Sequence, residues 1–107
     1  MSSVPEISVQ ELEALRQANA DFFLLDVRNP DEQAICHLNG HLIPLVDLPN
    51  RLSELNPEKH IIVHCHAGGR SRRAVTFLMD QGFKQVANLK GGVLAWANEI
   101  DPAMAKY

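Results

Sequence analysis

Long apolar runs are missing from this chain. Runs such as Phe22 to Leu25 and Ile61 to Val63 are far short of the roughly 20 residues that cross a bilayer. No basic stretch leads into an apolar core near the N-terminus, so the pattern of a signal peptide is lacking. The expectation is a cytoplasmic protein that meets no membrane. Cysteine is scarce, with only Cys36 and Cys65. In a reducing compartment two such residues are expected as free or catalytic thiols rather than as a structural disulfide. Positive charge is not in excess. The formal net charge is -3, which argues against nucleic acid as a partner. An anionic substrate is still permitted, because a small positive loop can hold an anion on an acidic protein. Repeats, low-complexity tracts and linkers are absent too.

What remains is a globular composition. Of 107 residues, 46% are hydrophobic and 21% charged, the balance of a folded domain. The length suits a single domain, 1–107 with a core over about 5–102, able to bury one core without metal or disulfide.

Elements alternate in type along the chain. Ser8-Val-Gln-Glu11 has the form of a capping box, opening a helix through Leu12 and Leu15 to about Ala18. Phe22 to Val27 predicts a buried strand, with Phe22 and Phe23 in the core. Asn29-Pro30-Asp31-Glu32 places proline and acids where a short helix begins. His41 to Leu45 predicts a short strand, and Asp47 to Leu55 a helix ending before Asn56-Pro57. His60 to Cys65 is the clearest strand, with β-branched Ile61, Ile62 and Val63. A loop over His66 to Arg70 follows. Next comes a helix from Ser71, as its cap, to Gln81, with Gly82 at the stop. Phe83 to Leu89 predicts a weaker strand. After Gly91-Gly92 a last helix runs from Val93 to about Ile100, with Trp96 in the core and a frayed tail beyond. Such alternation predicts an α/β fold of three layers, with a mostly parallel central sheet and helices on both faces.

Sites in such sheets form outside the carboxyl ends of strands. Two ends carry reactive residues: Asp26-Val27-Arg28 and His64-Cys65. The second runs into Ala67-Gly68-Gly69-Arg70-Ser71. Glycines let successive amides point inward as an anion-binding nest. The helix start and Arg70 add positive potential. A thiolate there is stabilised, so Cys65 is expected to be acidic and nucleophilic. A buried Cys closing a core strand is the plainer alternative.

The chain resembles the rhodanese homology domain from about Ile7 to Pro102. The matching pieces are Leu25-Asp26-Val27-Arg28 with Pro30 and Glu32, and His37-Leu38-Asn39-Gly40 to Ile43-Pro44-Leu45. They continue with Val63-His64-Cys65 through Arg70-Ser71, Gly82-Phe83 with Val86, and Leu89-Lys90-Gly91-Gly92 with Trp96. The resemblance implies a three-layer rhodanese-like fold and a sulfurtransferase needing no cofactor. Cys65 would accept a sulfane sulfur from thiosulfate or a protein persulfide and pass it to a thiophilic acceptor. The amides of His66, Ala67, Gly68, Gly69 and Arg70 would hold the persulfide. Arg70 would attract an anionic donor or stabilise the loop. Four residues lie between Cys65 and Arg70, the loop of sulfurtransferases in this family. The related dual-specificity phosphatases have five, so a phosphatase or arsenate reductase is the lesser alternative. An accessory module that takes sulfur only from a partner protein is the other alternative.

Cys36 stands where relatives usually have Gly. It is either an ordinary small residue or a resolving partner for Cys65. An ion pair of Arg28 with Glu32 is expected to fix the neighbouring loop. His64 and His66 flank Cys65 but point to opposite faces if the strand continues, so no metal site is expected. His66 is either a donor to the substrate or simply exposed. His37 is expected to be structural.

Overall fold

The computed structural model describes residues 4–107. Five strands form one sheet: β1 (Glu6–Ile7), β2 (Phe23–Asp26), β3 (His41–Leu42), β4 (Ile61–His64) and β5 (Val86–Leu89). Their order is β1-β5-β4-β2-β3, and every pairing is parallel. Four helices accompany them: α1 (Val9–Gln17), α2 (Pro30–Ile35), α3 (Gly69–Asp80) and α4 (Gly92–Glu99).

β4 is hydrogen-bonded on both edges, so it is apolar on both faces, as a central parallel strand must be. Its residues alternate between two cores. Ile61, Val63 and Cys65 pack with Ala74, Val75 and Leu78 of α3. Ile62 packs with Val9 and Leu12 of α1 and with Val93 and Trp96 of α4. These helices therefore cover opposite faces, giving three layers. Cys36 lies in the second core and Cys65 in the first. Both are free thiols, set on opposite sides of the sheet.

The capping box forms as the sequence implies. The Glu11 amide donates to Ser8 Oγ at 3.1 Å, and the Ser8 amide donates to Glu11 Oε1 at 2.9 Å. The helix expected over Asp47 to Leu55 does not form. Two 3-10 segments replace it, Leu45–Asn50 and Leu52–Glu54. Pro49 has no N–H to donate four residues back. The chain closes shorter turns instead, such as Arg51 N–H to the Leu48 carbonyl at 3.1 Å. β1 was not foreseen, because two residues carry no periodicity. The tail is not frayed at its end. Tyr107 stacks on the His66 ring, centroids 4.2 Å apart.

Candidate active site

Cys65 follows the last residue of the central strand, which β2 and β5 hold on either side. Gly68, at φ +112°, caps α3. The helix thus begins at Gly69, two residues before the expected start. Ser71 is no cap; it sits in the first turn, fully buried, and its hydroxyl faces the sulfur.

Cys65 is only 1% exposed, but its Sγ does not face hydrocarbon alone. It accepts the Gly68 amide at 3.1 Å and lies 3.4 Å from Ser71 Oγ. Burial pushes the thiol pKa up. The Ser71 hydroxyl and the amides of Ser71, Gly68 and Arg70 outweigh it and bring the thiol below its ordinary value. Inward N–H groups require outward carbonyls, and these are gripped by α4. The Val93 amide donates to the Cys65 carbonyl at 3.0 Å, and the Leu94 amide to the His66 carbonyl at 2.9 Å. This close approach is why Gly92 is needed: a Cβ there would stand 2.4 Å from the His66 oxygen.

Arg28 does not pair with Glu32. It is fully buried and clasps Asp26, with Nη2 2.7 Å from Oδ2 and Nε 2.9 Å from Oδ1. It also donates to the Cys36 carbonyl at 2.8 Å and to the Tyr107 hydroxyl at 3.1 Å. Burial opposes its charge, but Asp26 and Tyr107 outweigh that and raise its pKa. Only Val27 separates Arg28 from Asp26, so the turn after β2 brings them together more readily than Glu32 on α2. Glu32 instead receives Arg70 in a two-pronged pair at 2.7 and 2.8 Å, and that pair holds its carboxyl at about 2. The Tyr107 hydroxyl donates to Glu32 at 2.9 Å.

His64 is fully buried. Its Nδ1 meets the Cys65 carbonyl at 3.3 Å, and Nε2 stands 3.8 Å from Asp26. Burial lowers its pKa, so it is neutral. His66, expected as a donor to the substrate or as an exposed residue, is half-buried, and among the described residues its Nε2 has no hydrogen-bond partner. His37 bonds locally, its Nδ1 accepting the Asn39 amide at 3.2 Å.

Sequence reasoning missed Asn88, Glu6, Ser71 as a sulfur partner, and Tyr107. The Ser71 hydroxyl reaches Asn88 Oδ1 at 2.5 Å. Asn88 Nδ2 donates to Glu6 Oε2 at 2.9 Å, and Arg72 holds the same oxygen. The one available signal was a polar Asn in the otherwise apolar strand Val86–Leu89.

Residues 8–99 match the Rhodanese-like domain family. The chain is 35% identical to a protein of Allochromatium vinosum named a sulfurtransferase, over 95% of this chain and 96% of that one. It is 38% identical to the rhodanese-like/PpiC domain-containing protein 12, chloroplastic, of Arabidopsis thaliana, covering 97% of this chain but 38% of that protein. The crystal structure of a rhodanese-like domain protein from Staphylococcus aureus superposes with a TM-score of 0.82 at 29% identity, over 90% of this chain and 94% of that one.

Proposed function

The chain belongs to the rhodanese-like domain family, and on that premise we propose that it carries a sulfane sulfur as a persulfide on Cys65. The observation that carries this reading is the ring of amides around one thiol. Gly68, Arg70 and Ser71 all favour a negatively charged sulfur at Cys65, as preorganised donors favour any developing anion. The thiolate attacks the outer sulfur of a donor. A new S–S bond forms, the donor's own bond breaks, and the donor leaves as sulfite or as a thiolate. An acceptor thiolate then attacks the outer sulfur and releases Cys65 as a thiolate.

The outer sulfur lies among the amides of His66, Ala67, Gly68, Gly69 and Arg70. Gly69 has open space where a Cβ would stand, and the unpartnered His66 Nε2 is free to donate. The whole chain acts as one unit, in a reducing cytoplasm that keeps both thiols free.

The donor is a persulfide rather than thiosulfate. Arg70 is spent on Glu32 and Arg28 on Asp26. Little unpaired positive charge is left to draw in a dianion, whereas a persulfide held by a partner protein or a small thiol brings less charge. The test is intact mass after thiosulfate and, separately, after cysteine persulfide, whose net charge is smaller than that of the thiosulfate dianion. A gain of one sulfur, reversed by cyanide and absent in Cys65→Ala, is expected, with the persulfide loading faster. If Cys65→Ala gains the sulfur equally, the carrier is elsewhere. Faster loading by thiosulfate refutes the donor class.

A further inference from the structure

The parallel register sets Glu6 of β1 beside Asn88 of β5. Asn88 is 1% exposed and is the link between Glu6 and Ser71. Donor and acceptor accounting fixes its amide. Ionised Glu6 accepts only, so the Asn88 NH2 faces it, at 2.9 Å. The Asn88 oxygen must then face Ser71, at 2.5 Å. That oxygen also only accepts, so it claims the single Ser71 proton. While Cys65 is a thiol, a Ser71 lone pair is left toward Sγ, 3.4 Å away, a distance from which the hydroxyl can also donate once the sulfur is charged.

We propose that Asn88, aimed by Glu6, is a positioning residue that competes with the Cys65 sulfur for the single Ser71 hydroxyl proton and so limits how far that hydroxyl favours the free thiolate over both the thiol and the persulfide. In the thiol form every group is matched: S–H donates to Ser71, and Ser71 donates to Asn88. When the thiol proton leaves, Ser71 either keeps a lone pair against the negative sulfur or swings its proton over. In the second case the buried Asn88 oxygen is orphaned, which is costly. When sulfur is taken up, the charge moves to the outer atom. The inner sulfur needs no hydroxyl, and the Ser71–Asn88 bond returns. The network thus pushes Cys65 toward carrying sulfur, while the loop amides keep enough thiolate to react. The other charged groups around the loop are already paired: Arg70 with Glu32, Arg28 with Asp26, and Arg72 with Glu6.

This rests on the sulfur-carrier reading only for the persulfide half. The test is the pH dependence of Cys65 alkylation by iodoacetamide, together with the loading equilibrium against glutathione persulfide. Asn88→Ala frees the hydroxyl for the thiolate. Its midpoint is expected to fall by about one pH unit, and loading above that midpoint to weaken about tenfold. Glu6→Ala lets the Asn88 amide turn its NH2 toward Ser71. It is expected to lower the midpoint too, and its place on an exposed edge strand leaves folding intact if Asn88→Ala fails to fold. In a Ser71→Ala background neither change moves the midpoint, which separates this wiring from the mere loss of the Glu6 charge. A merely structural role would raise the midpoint in each variant, by loosening the amide ring. A midpoint that is unchanged or raised in Glu6→Ala overturns the proposal. A shifted midpoint in a protein that takes up no sulfur leaves the wiring standing and removes the sulfur-carrier reading instead.

Discussion

Gly92→Ala should damage this protein far more than Gly82→Ala, although both glycines have left-handed backbones. Gly82 has φ +91° and nothing within 4 Å of an added Cβ. Alanine there bears only the conformational cost, about 1–2 kcal/mol. Gly92 has φ +61°, and its Cβ would stand 2.4 Å from the His66 oxygen and 2.6 Å from the Cys65 oxygen. Those are backbone atoms. They cannot retreat without stretching the bonds from Val93 and Leu94. Overpacking of this kind adds about 1–3 kcal/mol, so the total for Gly92→Ala is about 2–5 kcal/mol. For a domain of this size each kcal/mol moves Tm by about 4–8 °C. Differential scanning calorimetry should give a fall near 10 °C for Gly82→Ala and about twice that for Gly92→Ala. The midpoint of Cys65 alkylation separates them further. It should rise in Gly92→Ala, where the carbonyls behind the amide ring are displaced, and stay fixed in Gly82→Ala. Equal Tm losses would refute the argument that α4 is wedged against the loop.

Arg28→Ala strands the Asp26 carboxylate among buried neighbours and should cost about 3–5 kcal/mol in urea unfolding. Arg28→Lys should recover part of this, having no fork to clasp both oxygens. Glu32→Gln tests the Arg70 pair. The Glu32 carboxyl is depressed to about 2, so its stabilisation is complete above the ordinary range near 4.5 and is lost as pH falls toward 2. The Tm gap between native protein and Glu32→Gln should therefore be flat above about pH 5 and close toward pH 2; a gap that does not change with pH counts against the pair. Alkylation of Cys65 in the native protein should show a midpoint below the ~8.5 of a free cysteine, and Ser71→Ala should raise it.

The α/β layering was legible because Ile61, Ile62 and Val63 announce a strand covered on both faces, and because the capping box and Gly82 bracket helices by local chemistry. The Cys65 loop was legible as glycines and Arg70 crowded between a strand and a helix. Partner choice was not. Asp26, rather than Glu32, takes Arg28 because the turn after β2 folds the chain back on itself, which spacing alone does not reveal. Asn88 and Glu6 lie far apart in sequence and meet only through strand order. Ser71 looked like a cap because the left-handed turn at Gly68, which starts the helix early, leaves no mark on hydrophobic pattern.

The strand order has a consequence for the chain during its own synthesis. β1 is made first but adds to the outer edge of β5, made last, so Glu6 waits for Asn88, 82 residues later. At about 5–20 residues per second that is an interval of roughly 4–16 s. Gly92 and the amides of Val93 and Leu94 come later still. A ribosome-bound fragment ending before them has its cysteine but not the α4 amides that grip the carbonyls of Cys65 and His66, so the cradle around the sulfur is assembled only once α4 has been made.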